Sequence, residues 1–324
     1  MNIEVTYSPA YTVVPTYECF NRCSYCNFRI DVGQSQPLSI KHFEQKFNYI
    51  SLHKVIEILI LSGEVHPLSK TRESWFKKIH NICELALSFG FLPHTNVGPL
   101  SWSEMMELKQ VNVSMGLMLE QLNSKFMKTV HQQAPSKDPN LRLQQLEWAG
   151  KLKIPFTTGL LLGIGETNSD IRESLEAIAI IQRKWGHIQE VILQPHSEGS
   201  EQVSKIPNFQ PEKLPGIIAL AKKILPENIA IQIPPNLVPE SNFLLECLEA
   251  GARDLGGIGP KDEVNPDYPH LTARDLAEIL QSAGWKLKPR LPIYPQYFEW
   301  LPISLQKVVI AKKKSLISES SMFW

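Results

Sequence analysis

The sequence predicts an α/β fold in which parallel strands alternate with helices, as in a TIM-type (β/α)8 barrel that is full or slightly incomplete. Two observations predict this fold. Eight apolar runs alternate with segments of helical spacing, and distinctive polar residues follow most of these runs. A length of 324 residues suits one large α/β domain.

The predicted strands are short runs rich in β-branched and aliphatic residues. They cover residues 11–16, 55–61, 91–93, 111–115, 154–164, 189–194, 229–233 and 253–255. The helices are predicted from helical spacing of apolar residues, and Ser39 is a possible cap of the first. They cover residues 37–50, 72–89, 101–109, 122–131, 140–149, 169–184, 212–225 and 241–250. Such alternation indicates parallel strands with crossover helices, and eight units match a closed barrel better than an open doubly wound sheet.

The predicted barrel domain occupies residues 1–284, and residues 285–324 form a predicted C-terminal extension. This tail carries four prolines and a basic run at residues 312–314, and it departs from the strand–helix rhythm. We expect the extension to pack on the barrel and to fray at its end.

The charge balance excludes a bulk electrostatic attraction to nucleic acid or to an anionic membrane, because lysine plus arginine and aspartate plus glutamate both number 33. The longest apolar run, residues 55–61, is far shorter than the roughly 20 residues of a membrane-spanning helix. Residues 1–10 lack the basic and apolar regions of a signal peptide. The expected location is therefore the cytoplasm.

Three of the five cysteines, Cys19, Cys23 and Cys26, have a C-x3-C-x2-C spacing directly after the first predicted strand. An odd total argues against a disulfide framework and favours a reducing compartment. A structural zinc site needs four protein ligands, and no fourth Cys or His follows at finger spacing. A thioredoxin-like interpretation of Cys23 and Cys26 leaves Cys19 without a role. A [4Fe–4S] cluster fits better, and its three cysteine ligands would leave one iron open to a ligand that is not protein.

Cys83 and Cys247 lie in helical patterns and are expected to be buried, inert thiols.

Polar residues that follow predicted strands would meet at the catalytic face of a barrel. Besides the cysteines they are Glu64, His94, Asn96, Glu166, His196, Asn236 and Asp254. A carboxylate such as Glu64 offers only acceptors and suits a ligand ammonium group. The glycines of residues 159–165 would let the backbone approach a flat ligand closely, although their order differs from a dinucleotide-binding fingerprint.

The C-x3-C-x2-C spacing after a first strand, with the aromatic Tyr25 before the third cysteine, resembles the radical S-adenosylmethionine (SAM) superfamily. The resemblance implies a radical SAM barrel in which Cys19, Cys23 and Cys26 bind one [4Fe–4S] cluster, and in which SAM chelates the fourth iron.

Further segments make the likeness narrower. The segments LPHTN (92–96), VNVSMGLMLE (111–120), IPFTTG (154–159), GIGET (163–167) and HIQEVI (187–192) resemble the deazaflavin (FO) synthase family of CofG type, over roughly residues 11–270. This resemblance implies a lyase that converts 5-amino-5-(4-hydroxybenzyl)-6-(ribitylimino)uracil to 7,8-didemethyl-8-hydroxy-5-deazariboflavin. The implied steps are hydrogen abstraction by a 5′-deoxyadenosyl radical, cyclisation and loss of ammonia.

The resemblance also implies roles for individual residues. The implied SAM contacts are Tyr25, Glu64, Ser114, Glu120, Gly163, Gly165 and Glu166. His94, Asn96 and His196 are the candidates for orienting the substrate and moving protons. Two segments depart from the family pattern: Ser62-Gly63-Glu64 replaces Gly-Gly-Glu, and residues 256–270 match only loosely.

The implied partners are the small-molecule adduct, an electron donor such as flavodoxin or ferredoxin, and the CofH-type enzyme that makes the adduct. Two alternatives remain open. One is a related radical SAM enzyme, which makes the adduct or acts in menaquinone biosynthesis. The other is a zinc- or cluster-stabilised binding module, but such a module has no use for polar residues gathered at one mouth.

Overall fold

A closed barrel of eight parallel strands forms the centre of the molecule in the computed structural model, which describes residues 3–320 apart from 37, 203, 204 and 239. The strands are β1 Ile3–Val13, β2 Glu57–Leu61, β3 Leu92–Asn96, β4 Ser114–Gly116, β5 Phe156–Leu162, β6 Ile188–Pro195, β7 Ala230–Gln232 and β8 Asp254–Ile258. They follow one another in chain order around the barrel, and β8 pairs with β1. The predicted (β/α)8 fold is confirmed.

Helices surround the barrel and cover its apolar outer face. They are α1 Ile40–Ile50, α2 Arg72–Ser88, α3 Trp102–Leu108, α4 Pro139–Lys151, α5 Asn168–Trp185, α6 Leu214–Ile224, α7 Ser241–Ala250, α8 Ala273–Ser282 and α9 Ile303–Ser320. Ser39 precedes α1 but makes no side-chain capping bond, and residue 37 of the predicted helix lies outside the described residues. Residues 122–131 contain a short 3-10 turn in place of the predicted helix. None of the described helices has the length and apolar character needed to cross a membrane.

The long strand β1 closes the barrel. Its carboxyl half, from Ala10 to Val13, pairs with β2, and its middle, from Thr6 to Pro9, pairs with β8. A ninth strand, β9 (Trp285–Pro289), adds to its amino half. The spacing of apolar residues predicts the first strand at residues 11–16, but in the structure the strand begins eight residues earlier. Pairing with β8 and β9 keeps this earlier segment extended, although its apolar spacing did not predict a strand.

Two strands run further than the sequence predicts, and this moves two polar residues away from the catalytic face. The prediction ends the third strand at Pro93 and the eighth at Leu255, before Gly256. In the structure β3 continues to Asn96 and β8 to Ile258. His94 is therefore a mid-strand residue, and Asp254 is the first residue of β8, at the opposite end from the mouth.

The C-terminal extension covers the amino-terminal end of the barrel, which we call the floor. After β9 the chain forms a 3-10 turn, Pro295–Trp300, and then α9. An apolar cluster joins Ile293 and Tyr297 of the extension to Ile56, Leu92 and Val113, which precede or begin β2, β3 and β4. Residues 321–324, where fraying is predicted, lie outside the described residues.

Candidate active site

The three clustered cysteines lie in the loop that joins β1 to α1, at the carboxyl ends of the strands. Cys19, Cys23 and Cys26 line one cavity of about 230 Å³. The same cavity is lined by Glu64 after β2 and by Asn96 at the end of β3. The first, second and third strands therefore contribute to a single mouth, as the carboxyl ends of parallel barrel strands do.

The Ser62-Gly63-Glu64 segment is joined to the cysteine loop through its backbone. Gly63 N–H donates to the Thr16 carbonyl oxygen at 2.8 Å, and a Cβ atom at Gly63 would lie 2.1 Å from the Glu18 carbonyl oxygen. Glu64 N–H donates to Cys19 Sγ at 3.3 Å. Only glycine permits this approach, so the segment fixes the position of Cys19.

The cysteines suit a cluster better than a lone metal ion. Burial raises the pKa of Cys19, and it raises the pKa of Cys23 to about 12, so both thiols stay protonated at neutral pH unless a metal binds them. In the described part of the chain, no three His, Cys, Asp or Glu side chains converge on one point that could hold a single ion. A cubane cluster binds each cysteine at a different iron and needs no such convergence. The donor set therefore fits the [4Fe–4S] group.

One side of the cavity is charged. Glu64, Glu120 and Lys137 line it, and the buried Arg142 of α4 contacts both carboxylates, at 3.4 Å from Glu64 and 4.0 Å from Glu120. Lys137 Nζ donates to Glu120 Oε1 at 2.5 Å, and Asn21 Nδ2 donates to Glu64 Oε2 at 2.9 Å. We call Glu64, Glu120, Lys137 and Arg142 the charged side.

Glu120 is held in a conformation that a non-glycine residue adopts at a cost, with φ of 65°. Its backbone bridges to β5, where its N–H donates to the Gly159 carbonyl oxygen at 3.1 Å. Burial alone would raise the pKa of Glu120, but Lys137 and Arg142 lower it. Glu120 is therefore an ionised carboxylate in a fixed position.

Lys137 and Arg142 were not predicted from the sequence. A signal for Arg142 exists, because it shares its helical face with the buried Leu146 and Ala149, four and seven residues later. A cation that interrupts an apolar stripe indicates a buried ion pair. Lys137 lies in a 3-10 turn just before α4, where no period marks it.

The cavity is also lined by four amides, Asn96, Gln194, Gln202 and Asn265, and by His196, and we call these five residues the amide side. The Pro207 carbonyl oxygen can only accept, so His196 Nδ1 donates to it, at 3.3 Å. His196 Nε2 lies 3.3 Å from Gln202 Nε2. His196 is thus held at both ring nitrogens, by Pro207 and by Gln202.

Two predicted site residues lie below the mouth. His94 Nδ1 and Ser114 Oγ are 2.7 Å apart, and Ser114 donates to the Pro292 carbonyl oxygen of the extension at 2.6 Å. Neither residue lines the cysteine cavity. Residues two apart on a strand share a face, so His94 lies one layer below Asn96. Burial, with Arg290, lowers the pKa of His94 to about 3, which keeps it neutral. The expectation that both residues reach the mouth is corrected.

The predicted glycine turn after β5 lies beside the cavity. Gly163, Gly165 and Glu166 line a second hollow together with Phe209. Glu166 accepts from the N–H groups of Gly163 at 2.6 Å and Ile164 at 2.9 Å, so its carboxylate caps its own turn. Ile164 and Tyr25 belong to one small apolar cluster, through which the turn adjoins the mouth.

Comparison with known proteins agrees with this geometry. Residues 13–178 match the family model of the radical SAM superfamily. A protein of Trichormus variabilis, named 7,8-didemethyl-8-hydroxy-5-deazariboflavin synthase, is 66% identical over 94% of this chain and 89% of its own length. The protein of that name from Trichodesmium erythraeum is 62% identical over 94% of this chain and 96% of its own. The chain belongs to this synthase family of the radical SAM superfamily.

Solved structures agree on the fold. The hydrogenase maturase HydG from Carboxydothermus hydrogenoformans has a TM-score of 0.73 at 17% identity, over 98% of this chain and 78% of that one. Methylornithine synthase PylB has a TM-score of 0.64 at 13% identity, over 89% and 84%. Membership of the superfamily makes the chain a radical SAM enzyme and implies a [4Fe–4S] cluster, SAM, a small-molecule substrate and a reductant.

Proposed function

We propose that this chain converts 5-amino-5-(4-hydroxybenzyl)-6-(ribitylimino)uracil to 7,8-didemethyl-8-hydroxy-5-deazariboflavin, as a lyase that releases ammonia. The observation that carries the proposal is the shared cavity, in which three cysteines meet a charged side and an amide side. The name of relatives more than 60% identical supports the choice of substrate.

Cys19, Cys23 and Cys26 are the proposed ligands of one cluster, and the charged side is the proposed site of SAM. When bound, the reduced cluster and SAM supply a 5′-deoxyadenosyl radical that abstracts hydrogen. The amino group of SAM suits the Glu64 carboxylate, and its carboxylate group suits a cation of the charged side. Tyr25, Glu120 and the turn of Gly163, Gly165 and Glu166 remain proposed SAM contacts.

The amide side is the proposed site of the uracil ring and ribityl chain. Asn96 and Gln194 have no side-chain hydrogen bonds within the described residues, and an amide matches the alternating donors and acceptors of a uracil edge. His196 is the proposed group for moving protons, because it lines the cavity beside these amides and an imidazole can both donate and accept a proton.

The proposal places the enzyme in the reducing cytoplasm, where all five cysteines stay free. The proposed electron donor is a flavodoxin or a ferredoxin, and a CofH-type enzyme would supply the adduct.

Product identity tests the proposal. Protein reconstituted anaerobically with iron and sulfide is mixed with SAM, a reductant and the adduct, and fluorescent deazaflavin is measured. We expect product only when all components are present. If the adduct gives no deazaflavin, while tyrosine and the ribityl-uracil supplied in its place are turned over, the enzyme is instead one that makes the adduct.

A further inference from the structure

Residues 262–268, which lie between β8 and α8, form hydrogen bonds with the cysteine loop on both sides of the three cysteines. Tyr17, two residues before Cys19, donates its hydroxyl to Glu263 Oε2 at 2.8 Å. Asn27, directly after Cys26, donates its side-chain N–H to Asp267 Oδ2 at 3.0 Å. We call residues 262–268 the strap, because two of its carboxylates, Glu263 and Asp267, bond residues on either side of the three cysteines.

The Asp267 carboxylate, which accepts from Asn27, also forms hydrogen bonds with the loop after β6. The Asp267 carboxylate accepts from Ser200 N–H at 2.8 Å and from Ser200 Oγ at 3.1 Å. Asn27 Oδ1 accepts from Glu201 N–H at 2.8 Å, and a Cβ atom at Gly199 would lie 2.0 Å from Asn27 Cγ. Three loops therefore meet at one carboxylate and one amide.

The strap reaches the cavity between its two ties. Val264 and Asn265 line the cavity, and both donate their N–H groups to Asp262, at 2.8 and 3.1 Å. Asn265 Nδ2 also donates to Asp262, at 3.2 Å. The side-chain carbonyl oxygen of Asn265 has no hydrogen-bond partner among the described residues, so the side chain is held at its nitrogen and open at its oxygen.

We propose that the strap positions the substrate beside the cluster, with the side-chain oxygen of Asn265 accepting a hydrogen bond from an N–H or O–H group of the substrate. Tyr17 and Asp267 are positioning residues that fix the distance between the substrate and the cluster. This inference rests on the proposed function. The ties join residues that flank the cluster ligands, so substrate site and cluster loop move together. A misplacement of about 1 Å can cost on the order of a hundredfold in rate.

The test uses reconstituted enzyme in four variants: Asn265→Ala, Tyr17→Phe, Asp267→Ala and the control Tyr49→Phe. The measured quantities are KM for the adduct, iron content, and the ratio of 5′-deoxyadenosine to deazaflavin. Asn265→Ala should raise KM about tenfold, since one hydrogen bond is lost. Asn265→Ala, Tyr17→Phe and Asp267→Ala should each raise the ratio severalfold, because SAM is cleaved while the substrate is misplaced. Tyr49 is 66% exposed on α1, so its variant should match the wild type.

Two results would overturn the inference. If SAM cleavage and product fall in parallel at constant ratio, the ties serve only to hold the cysteine loop. If KM and the ratio match the wild type, Asn265 does not touch the substrate. If Asp267→Ala unfolds, Asp267→Asn replaces it, because asparagine has the shape of aspartate but can accept fewer of the three hydrogen bonds. The ratio of 5′-deoxyadenosine to deazaflavin in that variant then tests the inference. A wild-type enzyme that makes no deazaflavin refutes the proposed function itself, whereas an active wild type with unaltered variants refutes only the strap.

Discussion

Both ends of the barrel bury charge, but they bury it differently. On the floor, Arg290 pairs with Asp254 and Glu190, and Asp254 is fully buried. At the mouth, the ion pairs of the charged side stand beside three free thiols and the unpaired amides of Asn96 and Gln194, counted within the described residues. Charged groups on the floor contact one another, whereas the mouth also has donors and acceptors that are open to ligands. We expect floor changes to alter stability and mouth changes to alter chemistry.

The largest effect should come from Cys23→Ala at the mouth. With two of three ligands left, we expect reconstituted protein to lose its cluster and to cleave no SAM. Iron content, the visible absorbance and 5′-deoxyadenosine formation measure this. Cys247→Ala, which removes another buried thiol from α7, is the control and should keep its iron. Full iron in Cys23→Ala would contradict the assignment of the ligands.

Gly63→Ala should weaken binding of the cluster without unfolding the barrel. Its Cβ would overlap the Glu18 carbonyl oxygen, and such overpacking costs about 1–3 kcal/mol, here confined to the cysteine loop. We expect iron retention to fall about tenfold. Gly216→Ala in α6 is the matched control, because no atom lies within 4 Å of its added Cβ. Equal iron in both variants would mean that the close approach does not matter.

On the floor, Arg290→Met should destabilise the fold by about 3–5 kcal/mol, because it leaves buried carboxylates without their cation. Urea unfolding of the metal-free protein measures this change. The control Arg274→Met removes an exposed surface pair and should cost less than about 1 kcal/mol. The rate of SAM cleavage per folded molecule should match the wild type. If that rate is lost while stability is kept, the expectation that floor changes alter only stability is wrong.

The smallest effect concerns pH. Glu57, Glu190 and Asp254 share Arg290, and burial raises the pKa of Glu190 to about 7. The folded state then holds a proton that the unfolded state releases near its ordinary pKa of about 4.3. The stability contributed by this proton is complete below about pH 4 and falls as pH rises to about 7. The stability of Glu190→Gln relative to the wild type should therefore rise between about pH 5 and 7 and then level off, in urea unfolding at each pH. A constant difference would mean that Glu190 does not change its protonation in this range.

Much of the fold was predictable, because strand and helix periods are local. The helix Ser241–Ala250 begins and ends as predicted, and the eight strands occur in the predicted order. The ends of strands were less predictable. Pro93 and Gly256 are residues that commonly end strands, yet pairing with neighbouring strands carries β3 and β8 past them. That error placed His94 and Asp254 at the mouth.

The sequence by itself determined the cysteine spacing, the alternation that makes a barrel, and the residues Glu64, Asn96 and His196 that meet at its mouth. Only the tertiary structure decided which charged groups pair with one another and which segments hold the cysteine loop. Lys137, Arg142, Arg290 and the strap come from distant parts of the chain, and no local period records a contact between segments more than 50 residues apart, such as Arg142 with Glu64 or Asn27 with Asp267. Such contacts depend on how strands align when the barrel closes, and that register is set by packing of the whole molecule.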